Sequence, residues 1–102
     1  MSGTDVRKVS KAFKALANPN RLQIFLNLLN EGDDGADAGE APSCFLGSLL
    51  RNLNIGAPTV SHHIKELVNA DLITTERIGK QLKCSINPAM IHQISRVFTE
   101  AK

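Results

Sequence analysis

The sequence predicts a single, mainly α-helical domain with a small β-hairpin near its C-terminal end. Apolar residues recur at three- and four-residue steps along most of the chain, which is typical of helices that pack on one face. The period changes to two where Leu82, Cys84 and Ile86 alternate with polar residues, and Gly79-Lys80 supplies a turn before them. The predicted order over residues 1–102 is therefore ααααββα, in which the last helix begins after Asn87.

Two helices are predicted in the first thirty residues. The first covers residues 5–16, and its apolar stripe includes Phe13. Asn18 and Pro19 then start the second helix, because asparagine is a favoured N-cap and proline is favoured at the first helical position. The second helix is apolar over a wide arc, so we expect it to lie in the middle of the domain.

A flexible acidic loop is predicted at residues 30–43. It holds five of the ten acidic residues of the chain and no lysine or arginine, and it is longer than most connections in compact domains. The rest of the chain has 12 basic side chains against five acidic ones, a formal charge of +7. This balance favours a polyanionic partner. A solvated insertion is the simpler interpretation of the loop, and a regulatory role or repulsion from DNA is the alternative.

Composition argues against several other classes of protein. Four Phe, with no Trp or Tyr, leave few rings on which single-stranded bases could stack. No apolar run is long enough for a membrane span, and residues 1–8 do not resemble a signal peptide, so we expect a cytoplasmic protein. Its cysteines, Cys44 and Cys84, are then expected to be reduced thiols. No phosphate-binding glycine loop, nucleophile elbow or paired carboxylates indicate an enzyme, and no cofactor is expected.

Residues 45–69 contain the most informative pattern. A short apolar helix over residues 45–52 and a four-residue turn that ends at Gly56 precede an amphipathic helix from Pro58 to Asn69. On a helical wheel, Val60, Ile64 and neighbouring apolar residues share one arc and must face the core. A short helix, a tight turn and a second helix that exposes small polar groups are typical of a helix-turn-helix that places its second helix in the major groove of DNA.

The outward face of this helix carries the candidate base contacts. We assign Thr59, Ser61 and His62 to base edges, because their short side chains can both donate and accept hydrogen bonds. Lys65 is better placed for phosphate, and His63, at the edge of the buried arc, is expected either to pack or to reach a phosphate. Pro58 completes the exposed face. An ordinary solvated surface helix is the alternative interpretation.

The predicted hairpin extends this surface as a wing. It covers residues 74–85, and Arg77, Lys80 and Lys83 lie in and beside its tip, where they would contact an adjacent groove or phosphate strand. A solvated charged hairpin is again the alternative. With the preceding helices, the pattern predicts a winged helix-turn-helix domain that binds double-stranded DNA.

Three segments carry a family resemblance: Ala-Leu-Ala-Asn-Pro-Asn-Arg-Leu-Gln-Ile at 15–24, Pro-Thr-Val-Ser-His-His-Ile-Lys-Glu-Leu at 58–67, and Gly79-Lys80 with the strand that ends at Ile86-Asn-Pro88. In this order they resemble the ArsR/SmtB family of bacterial winged-helix repressors over nearly the whole chain, apart from the acidic insertion. The resemblance implies a homodimer, paired through the first and last helices, that binds a palindromic operator. Apolar stripes containing Phe13 and Phe98 are compatible with that pairing.

The sequence departs from the family at its usual metal sites. The Cys-x-Cys positions of the third helix hold Phe45 and Gly47 here, and Cys44 is one residue out of register. The first pair of ligand positions on the last helix holds Asn87 and Ala89, and the second falls at Glu100 and beyond residue 102. We therefore expect no metal to bind at either site.

Two alternatives remain open: the protein senses an effector through a cysteine thiol, or the winged helix binds another protein instead of DNA. Cys44, expected at a helix N-terminus, is the better candidate for a thiol sensor of oxidants, persulfide or a metalloid, although an inert thiol is the simpler interpretation. Cys84 shares a strand face with apolar residues and is most simply a core side chain. A winged-helix protein-interaction module is a further alternative, against which the positive charge argues. The effector is unknown.

Overall fold

The computed structural model describes residues 5–31, 43–50, 53 and 56–100. Within them the chain forms α1 (Val6–Leu16), α2 (Pro19–Glu31), β1 (Ser43–Phe45), α3 (Leu46–Leu49), α4 (Ala57–Asn69), β2 (Ile73–Ile78), β3 (Gln81–Ile86) and α5 (Pro88–Glu100). The mainly α-helical winged helix-turn-helix fold is confirmed. Most of the predicted acidic loop lies outside the described residues, although its first two positions belong to α2 and its last belongs to β1.

The predicted helix starts are confirmed by side-chain caps. Asp5 accepts hydrogen bonds from the backbone N–H groups of Arg7 and Lys8 at the start of α1. The Asn18 side-chain oxygen accepts from the backbone of residues 20 and 21 at the start of α2, and that of Asn87 accepts from residue 89 at the start of α5. These bonds satisfy donors that the first turn of a helix leaves without partners.

The sheet has one strand more than the sequence predicts. β3 is the central strand of a three-stranded antiparallel sheet in the order β1-β3-β2, so the described elements follow the order ααβααββα. The hairpin turns at Gly79, whose φ of 62° suits the first central position of a tight two-residue turn. β1 has only three residues, which is too short to show an alternating pattern. The predicted third helix is shorter than expected, since α3 ends at Leu49 and residues 51 and 52 lie outside the described residues.

The core lies between the helices and the inner face of the sheet. α2 lies at the centre of the core, as its wide apolar arc predicts. α4 packs one face against this core. The side chains that are less than 2% exposed include Ile24, Leu28, Leu49, Leu67, Leu72 and Cys84. No helix in the described part of the chain has the length and apolar character needed to cross a membrane.

Candidate nucleic-acid interface

α4 presents the predicted polar face to solvent. Pro58, Thr59, Ser61, His62 and Lys65 are all exposed. The opposite side of the helix holds it in the core, because Val60, Ile64 and Leu67 are 4%, 6% and 0% exposed. The helix can therefore offer its first two turns to a partner without unpacking.

A groove separates α4 from the wing. Arg77, next to the last residue of β2, and Lys80, in the turn that follows, are exposed and line this groove together with Ser61 of α4. The open volume between them is about 620 Å³. The other lining residues come from the end of β1, from α3 with its C-cap and from the first residues of β3, namely Phe45, Leu46, Gly47, Ser48, Leu50, Gln81 and Leu82. The structure thus brings one predicted base contact and two predicted phosphate contacts to the same concave surface.

The chemistry of this surface suits a nucleic-acid duplex. Hydroxyl and imidazole groups on α4 can donate to and accept from base edges, whereas the guanidinium of Arg77 and the ammonium of Lys80 only donate and are suited to phosphate oxygens. The hydroxyl and imidazole groups lie on α4, whereas Arg77 and Lys80 lie on the wing, and Lys65 adds a further exposed cation on α4 itself.

His63 does not belong to this exposed face. Its side chain is 4% exposed, so it packs in the interior, and the phosphate contact considered for it is not available in this structure. The reason is its place on the helical wheel, next to the buried arc. The adjacent His62 keeps its ring in solvent, 6.1 Å away between ring centroids.

Arg21 contacts His63 and links three helices. Its Nε donates to the carbonyl oxygen of Ala15 at 2.7 Å, and its Nη1 lies 3.4 Å from His63 Nδ1. Because a guanidinium can only donate, Nδ1 is the acceptor and the proton of the neutral ring is on Nε2. This buried Nε2 has no hydrogen-bond partner. Burial, the charge of Arg21 and then that of His62 lower the pKa of His63 below its ordinary value of 6.5.

We expect this histidine to make folding stability depend on pH. The unfolded chain binds a proton at His63 near pH 6.5, whereas the folded chain resists it, so the free energy of unfolding should fall as the pH drops through 6.5. His63→Gln should flatten the curve in that range. His62→Gln should keep most of the dependence, because His62 is the smallest of the three causes that lower the pKa of His63. Denaturant unfolding at a series of pH values measures the effect; equal slopes for wild type and His63→Gln would contradict it.

Of the two cysteines, Cys44 differs from expectation and Cys84 does not. Cys44 was predicted at a helix N-terminus, but it lies within β1, and α3 begins two residues later with Phe45 as its N-cap. Cys84 is fully buried in β3, as its apolar neighbours predict. Burial, and secondarily Cys44, raise the pKa of the Cys84 thiol to about 11.

Two residues that position the interface, Arg21 and Asn27, could not be assigned this role from the sequence. Arg21 supports α4 through His63, and the Asn27 amide donates to the carbonyl oxygen of Leu49 at 3.1 Å, which connects α2 to the end of α3. Both contacts join residues far apart in sequence. The family resemblance draws attention to Arg21, through the Asn-Pro-Asn-Arg segment at 18–21, but not to Asn27.

An apolar patch lies where α1 and α5 meet. The Phe13 and Phe98 rings form an edge-to-face pair with centroids 6.2 Å apart. Their side chains are nevertheless 40% and 73% exposed, and Val6 on α1 is 65% exposed. The patch is on the two helices for which the family resemblance implies dimer contacts.

Comparison with known proteins identifies the family. The model of the helix-turn-helix domain family matches residues 16–76, which is more than half of the chain. The arsenical resistance operon repressor of Staphylococcus xylosus is 32% identical over 90 residues, covering 88% of this chain and 76% of the relative. The chain belongs to the ArsR family of winged-helix transcriptional regulators.

Two further comparisons agree with this assignment. The transcriptional repressor SdpR of Bacillus subtilis is 31% identical over 83 residues, covering 81% of this chain and 80% of the relative. A solved structure of an ArsR family transcriptional regulator superposes with a TM-score of 0.72 at 18% identity, covering 95% of this chain and 89% of the other. This likeness shows the fold, and the relatives are regulators of transcription, not enzymes.

Proposed function

We propose that this ArsR-family protein is a cytoplasmic, homodimeric repressor that binds a palindromic operator in double-stranded DNA. The observation that carries the proposal is the exposed polar face of α4, which shares a groove with the two cations of the wing. The curated relatives named above are repressors, which supports the direction of regulation. Dimer formation doubles the few contacts that a single α4 can make and matches the symmetry of a palindrome.

The proposed repressor does not use the usual metal sites of its family. The positions of the Cys-x-Cys pair hold Phe45 and Gly47, neither of which can bind a metal or a metalloid. In the described part of the chain, no three His, Cys, Asp or Glu side chains are grouped so that they could hold a metal ion. We therefore expect zinc to leave the affinity for DNA unchanged.

Selection from random duplex DNA tests the proposal. The purified protein should enrich a palindrome whose half-sites are about one helical turn, or roughly 10 base pairs, apart. The enriched duplex should then bind more tightly than scrambled duplex of the same length. An absence of enrichment, together with no duplex binding at low ionic strength, would refute the proposed function.

Lys80→Ala should weaken binding to every sequence and flatten the salt dependence. Each lost phosphate contact reduces the slope of log affinity against log salt concentration by about 0.9, so a dimer should lose about twice that. Titrations of operator and scrambled duplex at several salt concentrations measure the slope. Lys11→Ala is the matched control, because Lys11 is exposed on α1 and lines a cavity near the C-terminal end of α4 instead. An unchanged slope for Lys80→Ala would show that Lys80, at the tip of the wing, makes no phosphate contact.

A further inference from the structure

Cys44 and Cys84 lie directly opposite each other on neighbouring strands. The antiparallel register of β1 and β3 pairs Ser43 with Ser85, Cys44 with Cys84 and Phe45 with Lys83. Residues that oppose each other in this way place their side chains on the same face of the sheet. Both cysteines are thiols; Cys84 is fully buried, and Cys44 is partly exposed and packs against the core.

The register also determines the spacing of this pair. A two-residue turn closes on a hydrogen-bonded pair, here Ile78 and Gln81, and the two classes of pair alternate along the hairpin. Counting along β3, the backbone groups of Cys84 face away from β2 and toward β1. Cys44 and Cys84 therefore form a hydrogen-bonded pair, with Cα atoms about 5.5 Å apart.

This spacing permits a disulfide, at some cost in geometry. Disulfides join residues with Cα atoms about 4.4–6.8 Å apart, which includes this pair. Their Cβ atoms, however, are about 3.5–4.5 Å apart, against about 4.5–5.5 Å for residues that face each other across two strands. Closing the bond must draw the two strands together at this point by roughly 1 Å, and a bond formed under such constraint is easily reduced.

We propose that Cys44 and Cys84 are an oxidative modification site, at which a peroxide converts the two thiols into a cross-strand disulfide that lowers affinity for DNA. The Cys44 sulfur attacks one peroxide oxygen and the O–O bond breaks, which leaves a sulfenic acid on Cys44 and releases one water. The Cys84 sulfur then attacks the sulfenic sulfur; the S–S bond forms, the S–O bond breaks, and the departing hydroxide takes the Cys84 proton as a second water. Two thiols are oxidised by two electrons while hydrogen peroxide is reduced to water.

The surroundings of the two thiols give this order of events. Cys44 is reached from solvent, whereas Cys84 has no exposed surface. Burial also raises the pKa of Cys84 to about 11, so that it stays protonated at neutral pH and is a poor first nucleophile. Cys84 is suited to the second step, the attack on the sulfenic acid, because Cys44 lies directly opposite it.

The bridge would act on the DNA-binding groove through β1. Phe45 ends β1 and is also the N-cap of α3, so a displacement of Cys44 is transmitted directly to α3. Leu46 on that side and Leu82 on β3 line the groove between α4 and the wing. Drawing β1 toward β3 therefore changes the distance between Leu46 and Leu82, and with it the width of the groove. This last step rests on the proposed function, since it assumes that the groove receives DNA.

Treatment of the reduced protein with hydrogen peroxide tests the site. Intact mass should fall by two hydrogen atoms, and peptide mapping should recover a Cys44–Cys84 link within one chain. Affinity for the selected duplex should fall at least about fivefold and recover with dithiothreitol. Cys84→Ala should accumulate a sulfenic acid on Cys44 that dimedone traps, whereas Cys44→Ser should react much more slowly. Neither variant should lose DNA affinity reversibly on oxidation.

Three results would overturn the inference: no change in mass, a link between two chains, or an internal link that leaves DNA affinity unchanged. The mass and mapping measurements use wild-type protein and do not depend on how the variants fold. If the reduced protein fails to bind any duplex, the proposed function is wrong, whereas the internal link is still tested by mass.

Discussion

Phe98→Asp is expected to convert the proposed homodimer into a monomer and to reduce its affinity for the selected operator on the order of 10³-fold, toward its non-specific value. Phe98 is 73% exposed and extends the apolar patch that it forms with Phe13. A second copy of the chain would bury this ring, and a carboxylate in its place would be buried without a partner. Loss of the pair leaves one α4 to bind one half-site.

The test measures mass in solution by sedimentation and operator affinity on the same samples. His92→Asp is the matched control, because His92 is exposed on the opposite side of α5 from the apolar stripe and introduces the same charge. Phe98→Leu keeps an apolar side chain and should remain dimeric. A Phe98→Asp protein that stays dimeric and binds the operator normally would remove this patch from the dimer interface.

The double variant Ser61→Ala/His62→Ala should lose specificity with little change in non-specific binding. Each good base contact contributes about 1–3 kcal/mol of discrimination, so the loss on operator DNA should be about 2–6 kcal/mol for each α4 if both residues make such contacts. Both side chains are exposed, and their removal leaves the buried side of α4 intact. The fold should therefore be unaffected.

Affinities for operator and for scrambled duplex, measured at one salt concentration, separate the two effects. Lys65→Ala provides the contrast, because loss of a phosphate contact should weaken both complexes alike. Repeating the random-sequence selection with the double variant should give a degenerate palindrome. Equal losses on operator and scrambled DNA for Ser61→Ala/His62→Ala would show that these residues contact the backbone.

Most of the candidate interface could be predicted from the sequence. The exposed face of α4, the buried positions on its other side and the cationic wing all follow from spacings of two to four residues. The burial of His63 was only one of two expected outcomes, because a residue at the edge of an apolar arc can turn either way. In the structure the side chain is buried, and its Nδ1 lies 3.4 Å from Nη1 of Arg21.

The helices, their caps and the hairpin could be predicted from the sequence, because they depend on interactions between residues close together in the chain. The strand at residues 43–45 could not, because it forms only by pairing with β3, about forty residues later. Pairing at that distance depends on backbone hydrogen bonds and on the space left by the packed helices, and a three-residue strand is too short to show a period. Because of this pairing, Cys44 lies in a strand opposite Cys84 and not at the helix terminus that the sequence predicts.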